Sequence, residues 1–334
     1  VMLRRTVFFL PILFISILCL CAGCKQAENP HKIDIIFDTD ANNELDDQHA
    51  LAYLMLNDDV FNILGITTNA TRNGGDIGEH YKEAERVIKL CNREESIKLL
   101  IGAEGSFGEI KDFLDLTDYD GHQSVDFIIE QAHKYSKENK LPILAVGKLT
   151  NIALALKKDP SITDNIRLIW LGSNYPDPGE YNLEDDVPSM NYVLESGIHF
   201  ELVPARYNEP SGTDAVKASL EEIQKIMPGL GPKAKAPVIG RHGESFTNFG
   251  DYSVNLFSNA ECHGDPPSRA LFDMAAVAIV KNPEWAHTQT IPCPIMENNI
   301  WIERPDNPRK IFLWENFDKD AIISDFYSTL KNKQ

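Results

Sequence analysis

Positive charge is scarce in this 334-residue chain: 32 lysines and arginines stand against 50 aspartates and glutamates, for a net charge of -18. No Lys/Arg cluster offsets the deficit, so nucleic acid is not an expected partner. Cysteine is also sparse, with six residues of which Cys19, Cys21 and Cys24 sit near the start. Cys91, Cys262 and Cys293 are too widely spaced for a zinc pattern or a disulfide framework. They are expected as free thiols, although one pair could close in an oxidising compartment. Internal repeats, low-complexity stretches and a composition shift that would mark a linker are absent. What remains is the make-up of an ordinary globular protein, 43% hydrophobic and 25% charged, able to form a sizeable core.

The chain has one long apolar run, Val7 to Leu20, behind Arg4 and Arg5. It is too short to span a bilayer comfortably and leads into Cys21-Ala22-Gly23-Cys24. This resembles a bacterial lipoprotein signal, although Cys21 stands where such signals usually have leucine. The resemblance implies a leader over 1–23, lipid on Cys24 that holds the protein to a membrane of the cell envelope, a polar tether over 24–31, and one domain over 32–334. An uncleaved N-terminal anchor is the alternative.

From Lys32 onward, strand-like and helix-like segments alternate. The pattern predicts strands at Lys32–Phe37, Phe61–Thr67, Ile97–Ile101, Pro142–Val146 and Ile166–Leu171. Between and after them it predicts helices at Asp47–Leu56, Gly78–Cys91, Gln123–Tyr135 and Thr150–Lys157. Such alternation implies an α/β fold, a mostly parallel central sheet with helices on both faces, whose ligands gather at the strand C-termini. Beyond residue 205 a helix at Ala215–Ile226, an irregular stretch through Gly231–Asn259 and a helix at Ala270–Val280 are expected. A small β-hairpin pairing Asn299–Glu303 with Lys310–Trp314, and a helix from Asp318, would complete the chain.

The densest chemistry lies in Asp38-Thr39-Asp40-Ala41-Asn42-Asn43-Glu44-Leu45-Asp46-Asp47. Four aspartates fall between an apolar strand and the start of a helix that reads as amphipathic. Such crowding of carboxylates is eased by a hard cation, while the helix N-terminus itself favours Asp46 and Asp47. An N-capping aspartate beside a solvated acidic loop is the simpler reading of the same residues.

Asp38-Thr39-Asp40 followed by Asp46-Asp47-Gln48-His49-Ala50-Leu51 resembles the N-terminal signature of the nucleoside hydrolase family, with a connecting turn about two residues longer than usual. Further segments in family order carry the resemblance: Gly65-Ile66-Thr67-Thr68, Val146-Gly147-Lys148-Leu149-Thr150-Asn151-Ile152-Ala153, Gly179-Glu180-Tyr181-Asn182, and Ala270-Leu271-Phe272-Asp273-Met274. The resemblance implies the family's Rossmann-like fold and a bound Ca2+ held by Asp40, Asp47, Asp273 and the Val146 carbonyl. It implies sugar contacts from Asp46, Glu180, Asn182, Asn73 or Asn69, and Asn174 as a further calcium or sugar contact. Asp40 would be the general base, with Asp38 orienting a ligand from behind.

Where many family members place a leaving-group histidine, this chain has Phe272. His242, His263 and His122 are candidate substitutes or contacts. The implied reaction is calcium-dependent hydrolysis of the N-glycosidic bond of a small nucleoside-like substrate, in a protein that could assemble as a homo-oligomer. Another ribosylated or glycosylated substrate at the same site, or a lipid-anchored protein that binds ribose or nucleoside without turnover, are the alternatives. A haloacid dehalogenase phosphatase also begins with a strand and Asp-x-Asp, but its second acidic pair should come late in the chain.

Overall fold

A computed structural model describes residues 32–334 of the chain, and runs of Val, Ile, Leu and Phe form most strands of its eight-stranded sheet, the polar edge strand His287–Pro292 excepted. The expected leader, the lipid-bearing Cys24 and the tether therefore lie outside the described residues. The first half alternates regularly: β1 (Ile33–Thr39), α1 (Asp46–Leu56), β2 (Phe61–Thr68), α2 (Ile77–Leu90), β3 (Leu99–Leu100), α3 (Phe107–Ile110), α4 (His122–Ala132), β4 (Leu141–Ala145), α5 (Thr150–Lys158) and β5 (Ile166–Leu171). Next come α6 (Tyr181–Asp185), α7 (Val187–Glu195), β6 (His199–Val203), β7 (Lys217–Ser219), α8 (Leu220–Ile226), β8 (Val238–Ile239), β9 (Ser245–Phe246), α9 (Phe249–Asn259), β10 (Ser268–Ala270) and α10 (Phe272–Lys281). The chain closes with β11 (His287–Pro292), β12 (Ile295–Glu297), β13 (Ile300–Ile302), β14 (Lys310–Glu315) and α11 (Lys319–Lys331).

The sheet order is β11-β14-β6-β5-β4-β1-β2-β3. All neighbours pair parallel except β11 with β14. The order reverses between β1 and β4, and in open α/β sheets the crevice beyond the strand ends at such a point is where ligands bind. Side chains alternate faces along each strand. Ile35 and Phe37 of β1 join the core on one face, with α1, α2, α9, α10 and α11, whereas Ile36 joins the core on the other with α4, α5 and α7. Parallel strands covered on both faces in this way bury nearly every side chain.

Several elements depart from expectation. Every residue of α1 is buried, Gln48 and His49 included, so it is a central helix and not an amphipathic one. Gln48 donates to Glu83 (3.1 Å), although its Oε1 has no partner, and His49 bonds the Leu45 carbonyl and Ser253 Oγ. The expected helix at Ala215–Ile226 splits into a 3-10 turn, the strand β7 and the short α8, which Ser219 and Glu222 cap reciprocally. The stretch expected to be irregular contains α9, whose buried Phe249, Tyr252, Ser253, Leu256 and Phe257 follow a helical repeat. A small C-terminal hairpin is present, but it pairs β12 with β13. The Lys310–Glu315 strand instead enters the main sheet between β11 and β6, where its parallel neighbour buries Ile311 and Leu313. Cys91, Cys262 and Cys293 are free thiols.

Candidate active site

The site forms at the reversal point, beyond the C-terminal ends of β1 and β4. Asp38 belongs to β1 and is fully buried, accepting hydrogen bonds from Thr67 Oγ1 (2.6 Å), Asn69 Nδ2 (2.7 Å) and Asn151 Nδ2 (2.7 Å). It thus ties β1 to β2 and α5 behind the site. Burial pushes its carboxyl up to about 6 against those bonds, with Asp40 adding to the rise. Asp40, just past the strand, is fully buried in the protein yet touches a cavity of about 1010 Å³. Thr71 Oγ1 donates to its Oδ2 at 2.6 Å, and its Oδ1 has no partner. Burial raises this carboxyl too, to about 6.

Asp46 and Asp47 open α1, and Asp273 is the second residue of α10; the two helices pack side by side. Their N-termini therefore converge, and one carboxylate oxygen from each aspartate lies within 4.8 Å of the others. Thr39 Oγ1 fixes Asp47 at 2.6 Å. Burial comes first in raising all three, Asp46 to about 7 with help from Asp40, and Asp47 and Asp273 well above the ordinary value through the neighbouring carboxylates. Among the described residues no salt bridge reaches Asp40, Asp46, Asp47 or Asp273. Buried carboxylates without a cationic partner must bind protons or a metal ion.

The facing wall comes from the loops after β4 and β5. The Val146 amide donates to the Asp38 carbonyl (2.8 Å), and Trp170 Nε1 donates to the Gly147 carbonyl (2.9 Å), which fixes this corner against the sheet. The Val146 carbonyl accepts from Asn182 Nδ2 at 2.7 Å. Glu180 has a φ of 122°, a backbone region that side-chain-bearing residues rarely adopt. Three backbone amides hold it there: Ser173 and Leu183 on Oε2 at 2.5 and 3.0 Å, and Asn182 on Oε1 at 3.0 Å. Burial lifts its carboxyl to about 7 against these donors.

Asp40, Asp46, Asp47, Val146, Glu180, Asn182 and Asp273 thus meet on one cavity. The other expected residues stand elsewhere. Asn73 is exposed, its amide bonded to the Tyr181 hydroxyl (2.7 Å), and Asn69 supports Asp38 from inside; neither lines the cavity. Asn174 is also off the wall, and its Oδ1 accepts from the Tyr207 amide at 2.8 Å. His122 bonds the Tyr119 carbonyl at the start of α4 and His242 lies outside the cavity, whereas His263 lines it.

Sequence reasoning missed Thr71, Tyr181, Tyr207 and Arg269. The last three line the cavity, and Arg269 pairs across it with Glu44 of the long turn. Thr71 stood in the segment searched for asparagine alone; Tyr207 lies in a loop and Arg269 on the short strand β10, neither within a motif. The long turn is ordered by neighbours: Asn42 donates to the Gly74 carbonyl (2.6 Å) and accepts from Arg241 on its own carbonyl (3.1 Å).

A doubly wound sheet with buried carboxylates gathered at its reversal point defines an α/β enzyme with an acidic, metal-competent pocket. The profile of the inosine-uridine preferring nucleoside hydrolase family matches residues 35–319. The chain belongs to that family and is an N-glycosyl hydrolase. It is 25% identical over 207 residues to a probable uridine nucleosidase of Oryza sativa subsp. japonica, a match spanning 53% of this chain and 59% of that protein. Among solved structures, a plant nucleoside hydrolase superposes with a TM-score of 0.68 at 17% identity, covering 90% of this chain and 99% of the other. A purine-preferring ribonucleoside hydrolase from Gardnerella vaginalis gives 0.68 at 19% identity, covering 90% and 98%.

Proposed function

We propose that this protein is a calcium-dependent hydrolase that cleaves the N-glycosidic bond of ribonucleosides to ribose and free base. The observation that carries the reading is the convergence of Asp46, Asp47 and Asp273, one oxygen of each within 4.8 Å of the others, on a cavity that Asp40 and Val146 also line. Calcium suits this donor set, because it takes six to eight hard oxygens and tolerates irregular geometry. Asp40, Asp47, Asp273 and the Val146 carbonyl would hold it, with Asp46 close enough to join. When bound it would neutralise the carboxylates and acidify a coordinated water.

The chain's own residues supply the rest. Asp40 is the general base: Thr71 holds one oxygen, which leaves the unpartnered Oδ1 to take a proton from the attacking water. Asp46, Glu180 and Asn182 position the ribose hydroxyls, so that binding energy goes into aligning the anomeric carbon. The carboxylates also favour the positive charge that develops on the ribosyl ring as the bond to the base breaks.

The test is release of ribose from purine and pyrimidine nucleosides with calcium present. No release from any of them would sink the reading, and binding without product would favour a sugar-binding protein instead. Asp40→Asn should lower kcat by about 10²- to 10⁴-fold, the usual contribution of a positioned base.

Two features favour a second reading, hydrolysis of a larger ribosylated compound: the cavity of about 1010 Å³ and the pinned turn that brings Asn43 and Glu44 to its wall. For location, the reading from sequence is an envelope lipoprotein anchored through Cys24. Cys24→Ala should move the expressed protein from the membrane to the soluble fraction.

A further inference from the structure

The residues assigned so far attend to the water and the sugar, and none of them assists departure of the base. An unassisted base would leave as an anion, into a cavity already lined by Asp40, Asp46, Asp47 and Asp273. A proton donor at the leaving nitrogen removes that repulsion. Phe272 cannot be the donor. The ring packed edge-on against Phe272 is Tyr207, with centroids 5.8 Å apart and planes at 85°.

Tyr207 lines the same cavity as the carboxylates and is 40% exposed. Burial, with the nearby charges of Glu180 and Asp46, pushes its phenol up, so the hydroxyl keeps its proton until a base departs, and those two carboxylates belong to the sugar end of the cavity. The loop that carries it is bent sharply: Arg206 and Asn208, on either side, have φ of 48° and 63°. Such conformations are unfavourable for side-chain-bearing residues and persist where the surroundings impose them. Here the surroundings do so on both sides. Arg206 donates to the Tyr175 carbonyl (2.9 Å) and Ser211 (2.9 Å) and pairs with Glu315 (3.1 Å), while the Asn208 amide donates to Asp214 (3.0 Å). Asn174 holds the Tyr207 amide itself. The whole assembly fixes the backbone that carries one tyrosine on the cavity wall.

We propose that Tyr207 donates the proton to the departing base. This rests on the hydrolase reading above. The C1′–N bond breaks with its electron pair going to the nitrogen, and that nitrogen takes the phenolic proton. The water oxygen bonds to C1′ and gives its proton to Asp40. Solvent then returns a proton to the phenolate and accepts the one on Asp40, so the sum is water added across the glycosidic bond.

Tyr207→Phe keeps the ring and its packing on Phe272 but removes the proton. Its kcat is compared with that of the wild type on a nucleoside and on 4-nitrophenyl riboside, whose nitrophenolate departs without protonation. The expected result is a loss of about 10²-fold or more with the nucleoside, the scale of general-acid catalysis, and a loss at least tenfold smaller with the nitrophenyl riboside. Equal losses on both substrates, or no loss on the nucleoside, would overturn the role of Tyr207. So would a His263→Ala variant that shows the selective loss in its place. Wild-type protein that cleaves neither substrate would overturn the hydrolase reading, and this inference with it.

Discussion

The proposed role of Asp40 as general base rests on two oxygens with different surroundings, one bonded to Thr71 and one left free. That freedom depends on a neighbour with no side chain. A Cβ at Gly147 would lie 3.0 Å from Asp40 Oδ1 and 2.7 Å from both amide atoms of Asn69, the residue that braces Asp38. The contacts with Asn69 are closer than packed side chains adopt, so that side chain must shift, and the one with Asp40 is tight enough to displace its carboxylate by a few tenths of an ångström. Gly147→Ala should therefore cost more in activity than in folding: kcat falls by on the order of tenfold or more while the melting temperature drops by only a few degrees. A variant as active as the wild type would show that this corner relaxes without disturbing the base. Glu180 makes the same point from the other wall, since three backbone amides hold its backbone in a conformation that local preference opposes.

At the scale of elements, α1 and α10 deliver three carboxylates because both begin at the same place. Both helices are buried nearly throughout, so their positions are set by packing on all sides. The helix α9 packs on α1 through His49, whose ring lies 5.3 Å from those of Phe249 and Phe257. Asn248 caps α9 by accepting from the Asp251 amide (2.8 Å). Loss of such a cap costs about 1 kcal/mol, and Asn248→Ala should lower stability by that amount in a denaturant titration.

Across the sheet, Glu201 of β6 bonds Arg167 of β5 (2.5 Å), Trp314 of β14 (2.9 Å) and His199 (2.9 Å). Burial alone would raise this carboxyl, but the bonds from His199 and Arg167, the Arg167 charge and Trp314 together hold it down at about 2, against 4.5 when free. A depressed carboxylate stabilises the fold fully above the unfolded value and loses that contribution as pH falls through the folded one. The stability gap between wild type and Glu201→Gln should be constant above about pH 5 and shrink as pH falls toward 2. A gap independent of pH across that window would contradict the assignment.

For the whole molecule, residues 32–334 form one compact unit that buries a cluster of carboxylates with no cation among the described residues. A ligand that binds only the folded state stabilises it by about 2.7 kcal/mol at one hundred times its Kd. Calcium should therefore raise the melting temperature, EDTA should reverse the rise, and Asp273→Asn should flatten it. A melting curve indifferent to calcium would leave the carboxylates to protons alone.

The parallel α/β plan was legible in the apolar strands and their spacing, because a strand buried on both faces writes itself as a run of Val, Ile and Leu. Asp40, Asp46, Asp47, Val146, Glu180, Asn182 and Asp273 were legible too, since each sits in a short segment whose order along the chain matches the family. After residue 205 the helices expected at Ala270–Val280 and from Asp318 were legible and stand as α10 and α11, but the rest of the path was not. There α9 relies on buried aromatics more than on helix propensity, and β14 pairs with strands far away in sequence.

The sequence by itself determined which residue types stand at the strand ends and at the helix starts, and so the chemistry available. Only the tertiary structure decided which of them meet. Asn73 and Asn174 read as well as Asn182 along the chain, yet only Asn182 reaches the cavity. Tyr207 has no motif at all, yet it lines that cavity against Phe272. The reason is physical: periodicity and capping are local and leave a trace in neighbouring residues, whereas a loop's aim is set by partners such as Tyr175, Asp214 and Glu315, from separate parts of the chain.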